Sequence, residues 1–197
     1  MKTSVSTQNE VLELFERSGA LLSGHFLLSS GRHSGAYFEK FNVLQHPEYL
    51  VKLGSMFVTR FKGLSVERVI GPTTGGMVIA YEVARQMEKP YFFAEPNEKG
   101  DGRVFGRSFS LKPKEKILVV DDVLTTGRSL VEVLELVERE GGEIVGVGVL
   151  LDRSGGRVDL GPPYQALATL DVESFAPEEC PLCREGKPVT KPGSRKF

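Results

Sequence analysis

Two adjacent carboxylates, Asp121 and Asp122, directly follow an apolar run at residues 117–120. Such a run is typical of a strand that is buried on both faces of a parallel sheet. A hydroxyl-rich loop at residues 125–129 comes next, and apolar residues at helical spacing begin at Leu130. The free amides and the dipole of the first helical turn favour an anion above the strand end. Because carboxylates accept hydrogen bonds from sugar hydroxyls and attract hard cations, the stretch predicts a site for a phosphorylated ribose; the alternative is an ordinary turn with a solvated acidic pair.

A second glycine-rich loop, GPTTGG at residues 71–76, follows another short apolar stretch and precedes an apolar helix. Its glycines let backbone amides approach a ligand closely, and Thr73 and Thr74 add hydroxyl donors. One such loop is a weak indication of function. Two of them in one chain fit a ligand that carries anionic groups at both ends of a sugar.

The whole stretch at residues 117–129 resembles the phosphoribosyl pyrophosphate (PRPP) signature of type I phosphoribosyltransferases. The resemblance implies that ribose and its 5'-phosphate are bound by Asp121, Asp122, Val123, Leu124, Thr125, Thr126, Gly127, Arg128 and Ser129. It implies pyrophosphate binding by Thr73, Thr74, Gly75 and Gly76, although one branch of the family has an aromatic residue and a lysine at positions 74 and 75. Asp121 and Asp122 are expected to act in catalysis. Mg²⁺ is the expected cofactor, carried mainly by PRPP and with no metal ligands from the protein.

The glycine- and serine-rich stretch at residues 24–43 by itself predicts only strand, turn and strand, and a surface hairpin is the simpler interpretation. It resembles the N-terminal hood of orotate phosphoribosyltransferases, which covers the nucleobase, at Phe26, Leu28, Ser30, Gly31, Ser34, Tyr37 and Phe38. The resemblance implies that Tyr37 and Phe38 offer a stacking face and that backbone groups near Ser30 and Gly31 bond the ring edges. Many family members have a lysine where this chain has Ser29, so one charge of the ligand must be met elsewhere.

Arg153 follows a second buried apolar run, at residues 144–151. An arginine at the mouth of a sheet suits bidentate recognition of a carboxylate. The resemblance implies that Arg153 binds the carboxylate of orotate, in a pocket that Thr125 and the hood residues complete. The alternatives are an ion pair with Asp152 or a position in solvent.

The polar stretch at residues 95–107 contains three glycines and has no periodicity, which suits either a mobile lid or a plain surface connection. In the resembling family this loop closes over PRPP, often in the site of the neighbouring subunit. Lys99 and Arg103 are the basic candidates for contact with pyrophosphate, and Lys99 is expected to act in catalysis. The resemblance also implies a homodimer that shares its lids.

The only two cysteines, Cys180 and Cys183, form a single C-x-x-C near the C-terminus. We expect reduced structural thiols; the spacing alone does not choose, and it leaves open redox chemistry or a metal site completed by another chain or a distant histidine. His25, His33 and His46 have no ligand spacing and are interpreted as solvated or core residues.

The composition excludes several classes of protein. A net charge of −1 over 197 residues gives no bias towards nucleic acid or an anionic membrane. The chain lacks an apolar run of membrane-spanning length and a secretion signal, so we expect a cytoplasmic protein without membrane or nucleic-acid partners.

Buried strands that alternate with helices predict an α/β fold whose mainly parallel central sheet is flanked by helices. We expect a single domain with an N-terminal hood (about 1–45), a core (about 46–160) and a C-terminal extension (about 161–197). The resemblance implies a pentosyltransferase that joins PRPP to orotate in pyrimidine biosynthesis. A purine-specific transferase and a PRPP-sensing nucleic-acid regulator are the alternatives.

Overall fold

The structure is a computed structural model that describes residues 5–28 and 30–192. Its helices are α1 (Val5–Arg17), α2 (Lys40–Leu44), α3 (Pro47–Phe61), α4 (Gly75–Met87), α5 (Arg128–Arg139) and α6 (Pro181–Arg184). Its strands are β1 (Leu21–Leu27), β2 (His33–Phe38), β3 (Arg68–Pro72), β4 (Tyr91–Pro96), β5 (Arg103–Val104), β6 (Lys116–Leu124), β7 (Glu143–Asp152), β8 (Gln165–Thr169) and β9 (Ser174–Phe175). The family departure noted at Ser29 lies outside the described residues.

The central sheet has six strands in the order β5-β4-β3-β6-β7-β8. Its neighbouring strands are parallel except β4 and β5, which pair antiparallel. Strands β3 and β6 are neighbours, so the loops that follow them meet at one edge of the sheet, where open α/β sheets bind ligands. The predicted fold class is confirmed.

The two faces of β6 belong to separate cores because successive side chains of a strand point in opposite directions. Leu118 and Val120 pack with apolar residues of α3 and α4, whereas Ile117 and Val119 pack with those of α5. All four side chains are fully buried, and each such burial contributes roughly 1.5–3 kcal/mol. The strand that carries the two carboxylates is therefore held firmly from both sides.

A separate antiparallel sheet, in the order β1-β2-β9, forms the hood. Its third strand comes from the C-terminal part of the chain, and His33 lies opposite Phe175. Further along, the Thr190 amide donates to the His25 carbonyl and the Thr190 carbonyl accepts from the Leu27 amide, both at 2.8 Å. The C-terminal extension is thus part of the hood, a contact between chain ends that local sequence patterns do not reveal.

Three elements differ from the sequence prediction. Strand β6 does not stop before the carboxylates but continues to Leu124, because its backbone stays paired with β7 as far as Asp152. Thr7 and Glu10 have the spacing of a capping box before an apolar run, which predicts that Thr7 caps the first helix, but Thr7 lies inside α1. Strand β8 was not predicted. Of its five residues only the adjacent Leu167 and Ala168 are buried, so the strand lacks the alternation of apolar and polar residues by which a half-buried strand is found in a sequence. Within the described ranges, none of the helices combines the length and apolarity needed to cross a membrane.

Candidate active site

The glycine loop after β3 rests directly on the two carboxylates of β6. A Cβ atom on Gly75 would overlap Oδ2 of Asp122, and one on Gly76 would lie 2.6 Å from Oδ1 of Asp121. Only glycine fits this close approach, which gives a physical reason for glycine at position 75, where one branch of the family has lysine. The two loops predicted from the sequence therefore form one continuous site.

Asp121 and Asp122 are buried, with relative exposures of 5% and 3%. The Asp122 amide donates to Oδ1 of Asp121 at 2.7 Å, and the Val123 amide donates to Oδ1 of Asp122 at 2.6 Å. Lys40 Nζ forms an ion pair with Oδ2 of Asp122 at 2.6 Å. Burial, and then the charge of Asp122, raise the pKa of Asp121 well above its usual range.

The phosphate loop, residues 125–129, turns the chain from β6 into α5. Gly127 is the N-cap of α5 with φ of 83°, and the cap makes no side-chain hydrogen bond. The first amides of α5 are therefore left for an anionic ligand. A cavity of about 160 Å³ lies over the loop and is lined by Asp121 and residues 123–130.

A larger cavity of about 650 Å³, the base cavity, lies between the hood and the phosphate loop. It is lined by Leu27, Leu28, Ser30, Tyr37, Phe38, Glu39, Lys40, Phe41, Val123, Thr125, Thr126, Arg153, Lys191 and Pro192. Val123, Thr125 and Thr126 line both cavities, so a base and a phosphorylated ribose can bind side by side.

The two predicted aromatic residues lie in different surroundings. The Phe38 ring packs against Phe15 in the core at a centroid distance of 4.6 Å. Tyr37 is half-buried and packs against Phe26 at 5.8 Å. Tyr37 is therefore the better candidate for a stacking face. Gly31, with φ of 79°, forms the exposed turn of the β1–β2 hairpin rather than the cavity wall.

Arg153 enters the base cavity without a hydrogen-bond partner for its buried Nε, among the residues that the structure describes. Burial lowers the pKa of Arg153, and the nearby Tyr37 partly opposes this shift. Asp152 is not its partner: Oδ1 accepts from the amide and hydroxyl of Ser154, and Oδ2 from the Gly156 amide and the Tyr164 hydroxyl. A half-buried guanidinium with an unsatisfied donor needs an acceptor from a ligand.

The predicted lid is a hairpin formed by β4 and β5, with its tip at residues 97–102. Lys99 is exposed at this tip, and the Gly100 carbonyl accepts from Arg128 of the phosphate loop at 2.9 Å. Arg103 is 8% exposed and donates to the Ala94 carbonyl at 2.9 Å and the Ser129 hydroxyl at 3.2 Å. Arg103 therefore supports the phosphate loop through Ser129, whereas the side chain of Lys99 is open to solvent.

Comparison with known proteins agrees with this geometry. Residues 42–175 match the model of the phosphoribosyl transferase domain. The chain is 50% identical over 191 residues to orotate phosphoribosyltransferase of Desulforamulus reducens, which covers 96% of this chain and 98% of that relative. The chain belongs to the orotate phosphoribosyltransferase family. The orotate phosphoribosyltransferase of Aeropyrum pernix has a TM-score of 0.70 and 30% identity, over 81% of this chain and 93% of that one. Adenine phosphoribosyltransferase of Leishmania tarentolae, at 16% identity and a TM-score of 0.62 over 82% and 88% of the two chains, shares the fold alone.

The orotate phosphoribosyltransferase membership predicted from the sequence is thus confirmed. Sequence reasoning missed two cations that line the base cavity, Lys40 and Lys191. Lys40 lies two positions beyond the aromatic hood strand in the sequence YFEK, which was a usable signal. Lys191 lies 38 positions beyond Arg153, and only the course of the C-terminal segment brings it to the cavity.

Proposed function

We propose that this chain transfers the 5-phosphoribosyl group of PRPP to orotate, giving orotidine 5'-monophosphate and pyrophosphate, in pyrimidine biosynthesis. The observation that carries the proposal is the Nε of Arg153, which has no partner among the described residues and lies in a cavity that continues into the phosphate loop. Orotate carries a carboxylate that satisfies this donor, whereas a purine base does not.

PRPP is proposed to lie along the line where β3 and β6 end. Its 5'-phosphate accepts from the amides of residues 125–129 at the N-terminus of α5, and its ribose hydroxyls donate to Asp121 and Asp122. The amides of residues 73–76 and the hydroxyls of Thr73 and Thr74 receive the pyrophosphate. The direct contact of Gly75 and Gly76 with the two carboxylates supports this order, since it sets the two ends of one sugar at adjoining loops.

The reaction replaces pyrophosphate by a ring nitrogen of orotate at the anomeric carbon. Positive charge develops on the ribose ring while the bond to pyrophosphate breaks, and the buried Asp pair places negative potential beside it. Mg²⁺ that arrives with PRPP supplies charge neutralisation on the leaving pyrophosphate. Arg153 and Tyr37 orient orotate, and closure of the hairpin tip excludes water that otherwise hydrolyses PRPP. No general base is assigned, since orotate can lose its ring proton to solvent or to a lid residue.

Lys99 is proposed to contact pyrophosphate when the hairpin closes, and the chain is proposed to act in the cytoplasm as a homodimer that shares its lids. The exposed position of Lys99 supports its role. Sharing can be tested by mixing two inactive variants, Lys99→Ala and Asp121→Asn. Random exchange gives about a quarter of intact sites if the lid serves the neighbour. An equal mixture that stays inactive, with subunit exchange verified, assigns each lid to its own chain.

The activity is tested with purified protein, Mg²⁺, PRPP and a panel of orotate, uracil, adenine and hypoxanthine. We expect loss of orotate absorbance with one equivalent of pyrophosphate released, and no turnover of the purines. Turnover of a purine with none of orotate contradicts the proposal. Calorimetric titration with PRPP in the presence of Mg²⁺ separates a failure of sugar binding from a failure of base selection.

A further inference from the structure

Four side chains that can bind metal converge beside the hood, away from the site described above. His25 lies in β1 and His33 begins β2, while Cys180 precedes α6 and Cys183 lies within it. One ligand atom from each of them lies within 4.8 Å of those of the other three. Both cysteines are free thiols, and Cys180 and the two histidines are buried.

The distances between these atoms approach those of a tetrahedral metal site. His25 Nε2 lies 2.9 Å from His33 Nδ1, 3.4 Å from Cys180 Sγ and 3.7 Å from Cys183 Sγ. Cys183 Sγ lies 3.2 Å from His33 Nδ1. Usual zinc bond lengths give edges of about 3.3 Å between two nitrogens and about 3.6 Å between nitrogen and sulfur. A small outward movement of the four side chains makes room for an ion at their centre.

The hydrogen bonds of His25 fix its ligand atom. Nδ1 of His25 lies 2.8 Å from the Lys187 carbonyl oxygen, and only a protonated Nδ1 can donate to it. In the neutral ring Nε2 then carries the lone pair, and it points at His33, Cys180 and Cys183. A backbone carbonyl that holds the outer nitrogen of a histidine is the usual support of a metal-bound imidazole.

We propose that His25, His33, Cys180 and Cys183 bind one structural zinc ion, which fastens the C-terminal segment to the hood. Two sulfur and two nitrogen ligands in tetrahedral positions select zinc over magnesium or calcium, which prefer oxygen. Four protein ligands leave no open position, so the ion has a structural task. Cys183 is exposed, which gives the ion a path of entry.

The consequence concerns the segment that follows α6. Thr190 pairs with β1 on either side of Phe26, and Lys191 lines the base cavity. The segment is held near metal ligands at two places. It follows α6, which carries Cys183, and it pairs with β1, which carries His25. Loss of the ion is therefore expected to release residues 180–192 before the central sheet unfolds.

The first test measures the metal of the untagged protein purified without chelators, and then replaces it with Co²⁺. We expect about one zinc per chain, and cobalt protein with the visible bands of tetrahedral thiolate coordination. Cys183→Ser and His33→Gln should lower zinc affinity at least tenfold and shift the cobalt bands. His46→Gln, which changes the one histidine outside the cluster, should behave as wild type. Folded wild-type protein that takes up neither zinc nor cobalt, or cobalt bands unchanged in Cys183→Ser, overturns the proposal.

The second test needs no substitution and so avoids variants that fail to fold. Chelator-treated wild-type protein is compared with the same sample after zinc is restored, by thermal unfolding and by limited trypsin digestion. We expect zinc to raise the Tm and to slow cleavage after Arg184, the trypsin site of this segment that no proline follows, at least tenfold. Equal Tm and equal cleavage with and without zinc overturn the fastening role, because a ligand that binds only the folded state must stabilise it.

Discussion

Lys40 Nζ lies 2.6 Å from Oδ2 of Asp122, so the first residue of α2, two positions beyond the hood strand β2, contacts the carboxylate pair of the central sheet. Asp122 is 4% exposed at its side chain and Lys40 34%. A buried carboxylate is costly without a compensating charge. Lys40 supplies that charge and also lines the base cavity, where sequence reasoning required a cation in place of the missing lysine at position 29.

Replacing Lys40 by methionine keeps the aliphatic stem and removes the charge that compensates Asp122. We expect the free energy of unfolding to fall by about 1–3 kcal/mol, less than for a fully buried pair because Lys40 is partly in solvent. Turnover should fall at least tenfold, since Lys40 also faces the base. Urea unfolding and steady-state kinetics measure the two effects. Lys52→Met, at an exposed position of α3, serves as control, and equal behaviour of the two variants would remove Lys40 from both roles.

Arg153→Ala should raise the orotate KM by roughly 30-fold, which corresponds to about 2 kcal/mol for the loss of a charged carboxylate contact. The PRPP KM should change far less, because Arg153 lies in the base cavity and not over the phosphate loop. Initial-rate kinetics with each substrate varied in turn measure the split. Arg157→Ala removes an exposed arginine that pairs with Asp171 and should leave both constants unchanged. Equal increases in both KM values for Arg153→Ala would place its side chain outside the base pocket.

Asp121→Asn should make stability less sensitive to pH. Burial and the charge of Asp122 raise the pKa of Asp121 well above its usual range. The carboxyl of Asp121 thus holds its proton more tightly in the folded chain than in the unfolded chain. The stability that this proton contributes is lost as pH rises from about 4 towards the folded pKa. Asparagine stays neutral, so the variant should gain stability over wild type as pH rises and lose this advantage near pH 4.

Urea unfolding over that pH range measures the difference, and Glu135→Gln at an exposed position of α5 is the control. A stability difference between Asp121→Asn and wild type that is constant at every pH would contradict the assigned pKa shift.

Asp121→Asn, and likewise Asp122→Asn, should lose well over tenfold in turnover with an unchanged circular dichroism spectrum. Unchanged activity would exclude the ribose role.

Gly75→Ala should separate the glycine loop from the carboxylates. The added methyl group meets Oδ2 of Asp122, so either the loop or β6 must shift, at a cost of about 1–3 kcal/mol. We expect at least a tenfold loss of PRPP affinity by calorimetry. Gly63→Ala adds the same methyl group where nothing lies within 4 Å and should bind PRPP as wild type does. Wild-type affinity in Gly75→Ala would show that the contact of the two loops does not matter.

Local sequence patterns predicted the central sheet and the two loops that follow β3 and β6 because both depend on neighbouring residues. The apolar run of β6, the helical spacing of α5 and the single glycine between them each act within a few positions. The different surroundings of Tyr37 and Phe38 follow from the same local geometry, because adjacent residues of a strand point to opposite faces. Phe38 packs against Phe15 and also lines the base cavity beside Tyr37.

The contacts that the sequence did not reveal join distant parts of the chain. Cys180 contacts His25 across 155 positions, and no periodicity extends that far. The histidines were interpreted as solvated or core residues; His25 and His33 are indeed buried, but each also faces a cysteine. Lys191 reaches the base cavity only because Thr190 pairs with β1. Such placements follow from tertiary packing and not from local pattern.

The β1-β2-β9 sheet and the central sheet are proposed to recognise different parts of the ligands. Apart from Lys99 of the hairpin tip, the groups proposed to hold the sugar and its phosphates come from the ends of β3 and β6, whereas most of the wall around the base comes from the hood and the C-terminal segment. Base specificity can therefore change through replacement of the hood and the C-terminal segment, while the loops after β3 and β6 stay the same.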